Sequence, residues 1–192
     1  MHPSTPSARQ GLRLVIASSF VAVAALSRLF PHPPNFTPVG AIALFGGAVF
    51  TARVAGYLVP LVAMLLADGL LELRDGSGWH VLAPIVYGCF VATTWLGRRL
   101  GARAGTGAIA ATSLGAVTMF FLVTNFAVWL QGDLYPRDGA GLLACFIGAV
   151  PFLGWSLLAQ GVFGLLLFGG HRALVQRLIA VGRLPAVASE TR

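Results

Sequence analysis

An all-α polytopic membrane protein, a bundle of six transmembrane helices with both termini cytoplasmic, is the fold class this sequence predicts. Three observations carry it. Hydrophobic residues fill 57% of the 192 positions and charged residues 10%, with a mean hydropathy of +0.82; a soluble domain has a polar exterior to cover and does not use that much apolar surface. Apolar runs of roughly 20 residues, the length that crosses a bilayer, recur between short polar loops. All 13 basic residues are Arg, and they gather on alternate loops.

Taken in order, residues 1–10 are rich in Ser and Pro and read as a disordered tail. Gly11 to Phe30 is the first crossing, led by Arg9 and Arg13. Its basic flank, apolar centre and Ala22-Val-Ala24 also fit a cleavable signal peptide, but the later helices need this segment as a packing partner, so it is expected to stay. Ser18 and Ala22 give it a small-residue face suited to a partner helix. Pro31 to Pro38 holds four prolines in eight residues and cannot be helical. Thr37 and Pro38 then offer an N-cap and a first-turn proline for a short second crossing, Val39 to Phe50, whose Gly40, Ala41, Ala43, Gly46 and Gly47 let neighbours approach closely. Its capped end is expected at the membrane surface, beside the binding site.

Ala55 to Leu71 forms the third crossing, with Asp68 and Glu72 one helical turn apart, followed by a polar loop from Leu73 to Gly78. Trp79 to Gly97 is the fourth and Ala108 to Leu130 the fifth. Gly141 to Val150 is expected as a separate short helix, because Pro151 interrupts the run; Pro151 to Gly170 makes the last crossing. Residues 171–192 form a basic cytoplasmic tail, so the domain proper spans 11–170. Cys89 and Cys145 lie in apolar runs and are expected as buried thiols.

Alternate loops place Arg9, Arg13, Arg53, Arg98, Arg99, Arg103, Arg172, Arg177, Arg183 and Arg192 on one side, ten of the 13. Asp68, Glu72, Asp75, Asp133 and Asp138, five of the six acidic residues, fall on the other. The positive-inside rule puts the arginine side in the cytoplasm. If the second segment did not span, every later loop would invert. Arginines at the borders of apolar runs are topology signals, and without an aromatic-interleaved patch they exclude a nucleic-acid partner.

Polar side chains near hydrocarbon face a water-filled cavity, a ligand or one another. The outer end collects Arg28, His32, Asn35, Asp68, Glu72, His80 and Asn125, with Trp79, Tyr87 and Trp129 as aromatic walls, alongside Phe36 and Trp155. These are the candidate substrate-binding residues, with Asp68 expected to face a cavity or to pair with Arg28 across helices and Asn125 to bond between helices. No cofactor or metal site is expected; His80 and Cys89 are the residues a metal would use. HExxH, CxxC, GxxxxGK[ST] and GxSxG are all absent. Asp68, Glu72 and His80 keep open an intramembrane enzyme, and a structural or assembly factor is a third alternative.

The six-helix layout and the last crossing, Ala149-Val-Pro-Phe-Leu-Gly-Trp-Ser-Leu-Leu-Ala-Gln-Gly161, resemble the S components of energy-coupling factor (ECF) transporters. Ser18 and Ala22 stand where those proteins meet their coupling subunit. The resemblance implies capture of a vitamin-like micronutrient at the outer face of a bacterial inner membrane, with a transmembrane coupling subunit and ATPases as partners beside the lipid bilayer; the cobalamin branch would ask for a cysteine ligand. More closely, Arg28-Leu-Phe-Pro-His-Pro-Pro-Asn-Phe-Thr-Pro38, Val86-Tyr-Gly88 and Leu122-Val-Thr-Asn-Phe-Ala-Val-Trp129 resemble a bacterial membrane family of unknown activity, the DUF6580 type.

Overall fold

Residues 6–76, 78–132 and 134–182 are described in a computed structural model. Helices run in the order α1 (Pro6–Leu26), α2 (Val39–Val49), α3 (Arg53–Asp75), α4 (Ala83–Leu100), α5 (Thr106–Gln131), α6 (Gly139–Gly164) and α7 (Gly170–Ala180). A 3-10 turn, Ser27–Leu29, closes α1, and a π-helical segment, Leu165–Gly169, joins α6 to α7. Three stretches are long and apolar enough to cross a membrane: Arg53–Asp75, Thr106–Gln131 and the continuous rod Gly139–Ala180.

The short helix α2 is the axis of the bundle. Ile42, Ala43, Leu44 and Phe45 are wholly inaccessible, and α1, α3, α4, α5 and α6 all contact it. Small residues make this possible. A Cβ on Gly47 would overlap the Thr94 carbonyl oxygen of α4, and a Cβ on Gly97 of α4 would overlap the Leu44 carbonyl oxygen of α2, so the two backbones touch reciprocally. On the α3 side, a Cβ on Gly46 would strike the ring of Pro60. At 1.5 Å per residue, the 11 residues of α2 reach about 16 Å, half the hydrocarbon thickness.

Several expectations are corrected. α1 begins at Pro6, within the stretch read as a tail; residues 1–5 lie outside the described part, as do 183–192 at the other end. α7 carries the helix through His171 to Ala180, where a basic tail was expected. Gly141 to Val150 is not a separate helix, because α6 runs unbroken through Pro151. Pro151 is exposed, and one lost amide bond does not break a helix held on both sides by apolar packing. Thr37 does not cap α2: the first helical bond is Ile42 N–H to the Pro38 carbonyl at 2.8 Å, and Pro38 is the N-cap. α3 runs to Asp75, where Gly76 at φ 70° ends it in the left-handed region that favours glycine.

The two ends of the bundle differ in charge. At one end, Arg98 donates to the Phe50 carbonyl, Arg172 to those of Ala102 and Ala104, and Arg99 lies 4.9 Å over the Trp95 ring. At the other end sit Asp68, Glu72, Asp75 and Asp138 with Arg28, Arg74 and Arg137.

Candidate functional site

The acidic end is stitched together by its own polar groups. Arg28, carried to the end of α1 by the 3-10 turn, pairs with Asp68 of α3 at 2.6 Å, as expected from sequence. Tyr87 of α4 donates its hydroxyl to the other oxygen of the same carboxylate. The two charged side chains are only 16% and 8% exposed, so the triad ties α1, α3 and α4 together where an unpaired charge is costly. The Arg28 Nε is also buried and has no partner among the described residues. One turn on, Glu72 accepts from the backbone amides of Gly78 and Trp79 at 3.1 and 3.2 Å, folding the loop back over α3. Arg74 donates to the Leu29 carbonyl at 2.5 Å.

The other sequence candidates divide. His32, Trp79 and His80 are exposed. Asn125 bonds to the Phe121 carbonyl of its own helix at 2.8 Å, not between helices, while its backbone carbonyl accepts from the Cys145 thiol of α6. Trp129 donates from its indole to the Pro136 carbonyl and closes the α5–α6 turn. Cys89 and Cys145 are free and buried. Among the described residues, no group of three or more His, Cys, Asp or Glu converges as a metal site.

Asn35 leads to a second place. The Phe36 amide bonds to the Pro33 carbonyl at 3.0 Å, with Pro34 and Asn35 between them and Asn35 at φ 62°. Pro in the second position and Asn with positive φ in the third are what a type II turn selects. This turn carries the chain into the bundle, where Phe36 packs against Trp155 and Phe163 of α6. The N-terminus of α2 therefore opens beside the middle stretches of α4, α5 and α6, not at the surface. There it meets a cavity of about 80 Å³ lined by Asn35, Thr37, Thr93, Ser156 and Gln160, with Phe90 and Phe120 as stacked aromatic walls 5.5 Å apart.

Gln160 is the pivotal side chain. It is 5% exposed, donates from Nε2 to Ser113 of α5 at 3.1 Å, and rests its Oε1 against the face of Gly40, where a Cβ would stand 2.7 Å away. The first turn of α2 adds backbone amides without helical acceptors and the positive end of its dipole. The cavity thus presents neutral hydrogen-bonding groups, both donors and acceptors, in a protein interior. Its free volume is ample for ordered water.

The sequence candidates were gathered at the outer end of the bundle and did not include Thr93, Ser113, Ser156 and Gln160. The signal was a polar residue inside the last apolar run, Gln160 before Gly161. Ser18 and Ala22 line a groove of about 540 Å³ between α1 and α3, otherwise walled by Val, Leu and Ala.

A bundle of long apolar helices around a buried half-length helix, with a polar cavity at that helix's N-terminus, defines a helical membrane protein. The chain belongs to a family of unknown function, DUF6580, whose model matches residues 9–185. Neither the curated proteins nor the solved structures contain a match to it.

Proposed function

We propose that this chain is a solute-binding membrane protein, the substrate-capturing component of an uptake system for a small vitamin-like micronutrient, acting in the manner of the ECF S components. The cavity beside α2 carries the reading. Neutral hydrogen-bonding side chains from three separate stretches of chain, the segment before α2, α4 and α6, converge there, although polar groups inside a membrane bundle are costly. A half-helix pointing its N-terminus at such a cavity is also the arrangement broken-helix transporters use for substrate.

In this reading the chain crosses a bacterial inner membrane six times, with the arginine end and both termini cytoplasmic; the extended segment before α2 makes up the thickness α2 lacks. The Arg28–Asp68–Tyr87 triad serves as a clasp over the outer mouth, since its two charges pair with each other. The groove holding Ser18 and Ala22 offers a lateral seat for a coupling helix, through which ATPases would act.

Native mass spectrometry of gently purified protein tests the reading. A small molecule should travel with the wild type and be lost from Gln160→Met and Thr93→Val, which keep side-chain volume and remove hydrogen bonds. Retention in both variants, with unchanged melting temperature, would remove the cavity as the binding site.

A further inference from the structure

We infer that the cavity beside α2 is the head pocket of a larger, two-part site, made for an amphiphile with a compact uncharged head and one apolar tail that enters sideways from the bilayer. This rests on the solute-binding reading above. Below the cavity, between α5 and α6, runs a groove of about 460 Å³ whose walls include Ile109, Ser113, Gly161, Gly164 and Phe168. Gln160 lines both spaces. At that shared position Gln160 is held to Ser113, on the groove's wall, by a 3.1 Å hydrogen bond between neutral groups.

Each half lacks what the other supplies. The upper cavity alone, at about 80 Å³, is far below the ~300–1,000 Å³ of a small-molecule site, and the volume in that range comes from the groove. The groove is apolar and open along its side, with exposed Leu114, Leu157 and Leu165 on its rim. In a bilayer that opening faces acyl chains. Its floor is free of side chains: a Cβ on Gly161 or Gly164 would meet nothing within 4 Å. The π-helical turn at Leu165–Gly169 forms its lower wall, the kind of local widening that accompanies functional sites in helices.

The residues around the upper cavity carry no ionisable side chain, so a cationic head would lose its hydration there without a counter-ion, and an anionic head would find only the amides and partial charge at the start of α2. An uncharged hydroxylic head loses less and gains the Gln160, Ser156 and Asn35 side chains as partners. Arg172 marks the far end of the groove, where its guanidinium already serves the Ala102 and Ala104 carbonyls. Entry requires Gln160 to release Ser113, which would exchange one hydrogen-bond partner for the incoming head.

The test uses 1-monooleoylglycerol as probe, with glycerol and oleate for comparison, and native mass spectrometry of the full chain as readout. Monooleoylglycerol should bind, and its affinity should fall about tenfold or more in Gly164→Leu, which fills the groove, and in Gly40→Ala, which displaces Gln160. Ser156→Leu fills the upper cavity independently should Gly40→Ala disturb folding. Loss in Gly164→Leu with full binding in Gly40→Ala and Ser156→Leu would reduce the site to a tail groove and overturn the inference. Preference for oleate, abolished by Arg172→Gln, would overturn it in favour of an anionic head held at the arginine end. Retention of a tail-less solute sensitive to Gln160→Met, without monooleoylglycerol binding, would overturn it and leave the solute-binding reading standing.

Discussion

A carboxylate at 6% exposure among apolar helices persists only with partners, and Asp68 has two, Arg28 and Tyr87. Asp68→Ala strands the Arg28 guanidinium in the interior and should cost roughly 3–5 kcal/mol, measured by unfolding in detergent. Arg28→Met with Asp68→Leu removes both charges together and should recover most of that loss. If Asp68→Ala alone left stability unchanged, the pair would be paired in geometry but not in energy. The ion pair was legible in sequence because an acid and a base inside hydrocarbon each demand a counter-charge. The place of Gln160 was not, because it follows from Gly40 on one side and Ser113 on the other, a meeting of three helices that is non-local in the sequence.

The reciprocal seam between α2 and α4 sets its two glycines apart from the open helical positions Gly88 and Gly115. A Cβ at Gly47 or Gly97 meets the partner's backbone, which has no rotamer with which to yield. Gly47→Ala and Gly97→Ala should each destabilise by about 1–3 kcal/mol. At Gly88 and Gly115 a Cβ meets nothing within 4 Å, so alanine there should be neutral or stabilising by up to about 1 kcal/mol through helix propensity. Thermal unfolding of the four variants in one detergent separates the groups, and equal melting temperatures would refute the seam. The close packing of α2 was readable from its Gly and Ala content. Its depth was not: Pro31 to Pro38 announces a break, but which way a stiff turn points depends on Phe36 finding Trp155 and Phe163, more than a hundred residues away. Pro151 misled for a related reason, since hydropathy and packing on both sides outweighed one missing amide.

Charge divides the bundle end from end, and that division was plain in the sequence because loop arginines need no tertiary information. In the proposed orientation, a membrane-impermeant thiol reagent applied to intact cells should label Val81→Cys and spare Ala102→Cys, both exposed positions on opposite ends, while buried Cys89 and Cys145 stay silent. The reverse pattern would invert the molecule and place the cavity's mouth in the cytoplasm. Sequence could not foresee the length of the last helical stretch, because the change from apolar to basic composition at His171 looks like an ending. The backbone instead continues, with His171 set against the rings of Phe20 and Phe45.

That unbroken stretch, Gly139–Ala180, counts 42 residues and so measures about 63 Å, against some 40–45 Å for a bilayer with its headgroups. Unless it leans steeply, close to 20 Å of it stands clear of the lipid. In the proposed reading it would act as a lever arm, with Ser156 and Gln160 on its shaft and Arg177 on its far handle. In that reading, a pull or twist delivered in water would reach the cavity along this one helical stretch, with no loop having to relay it.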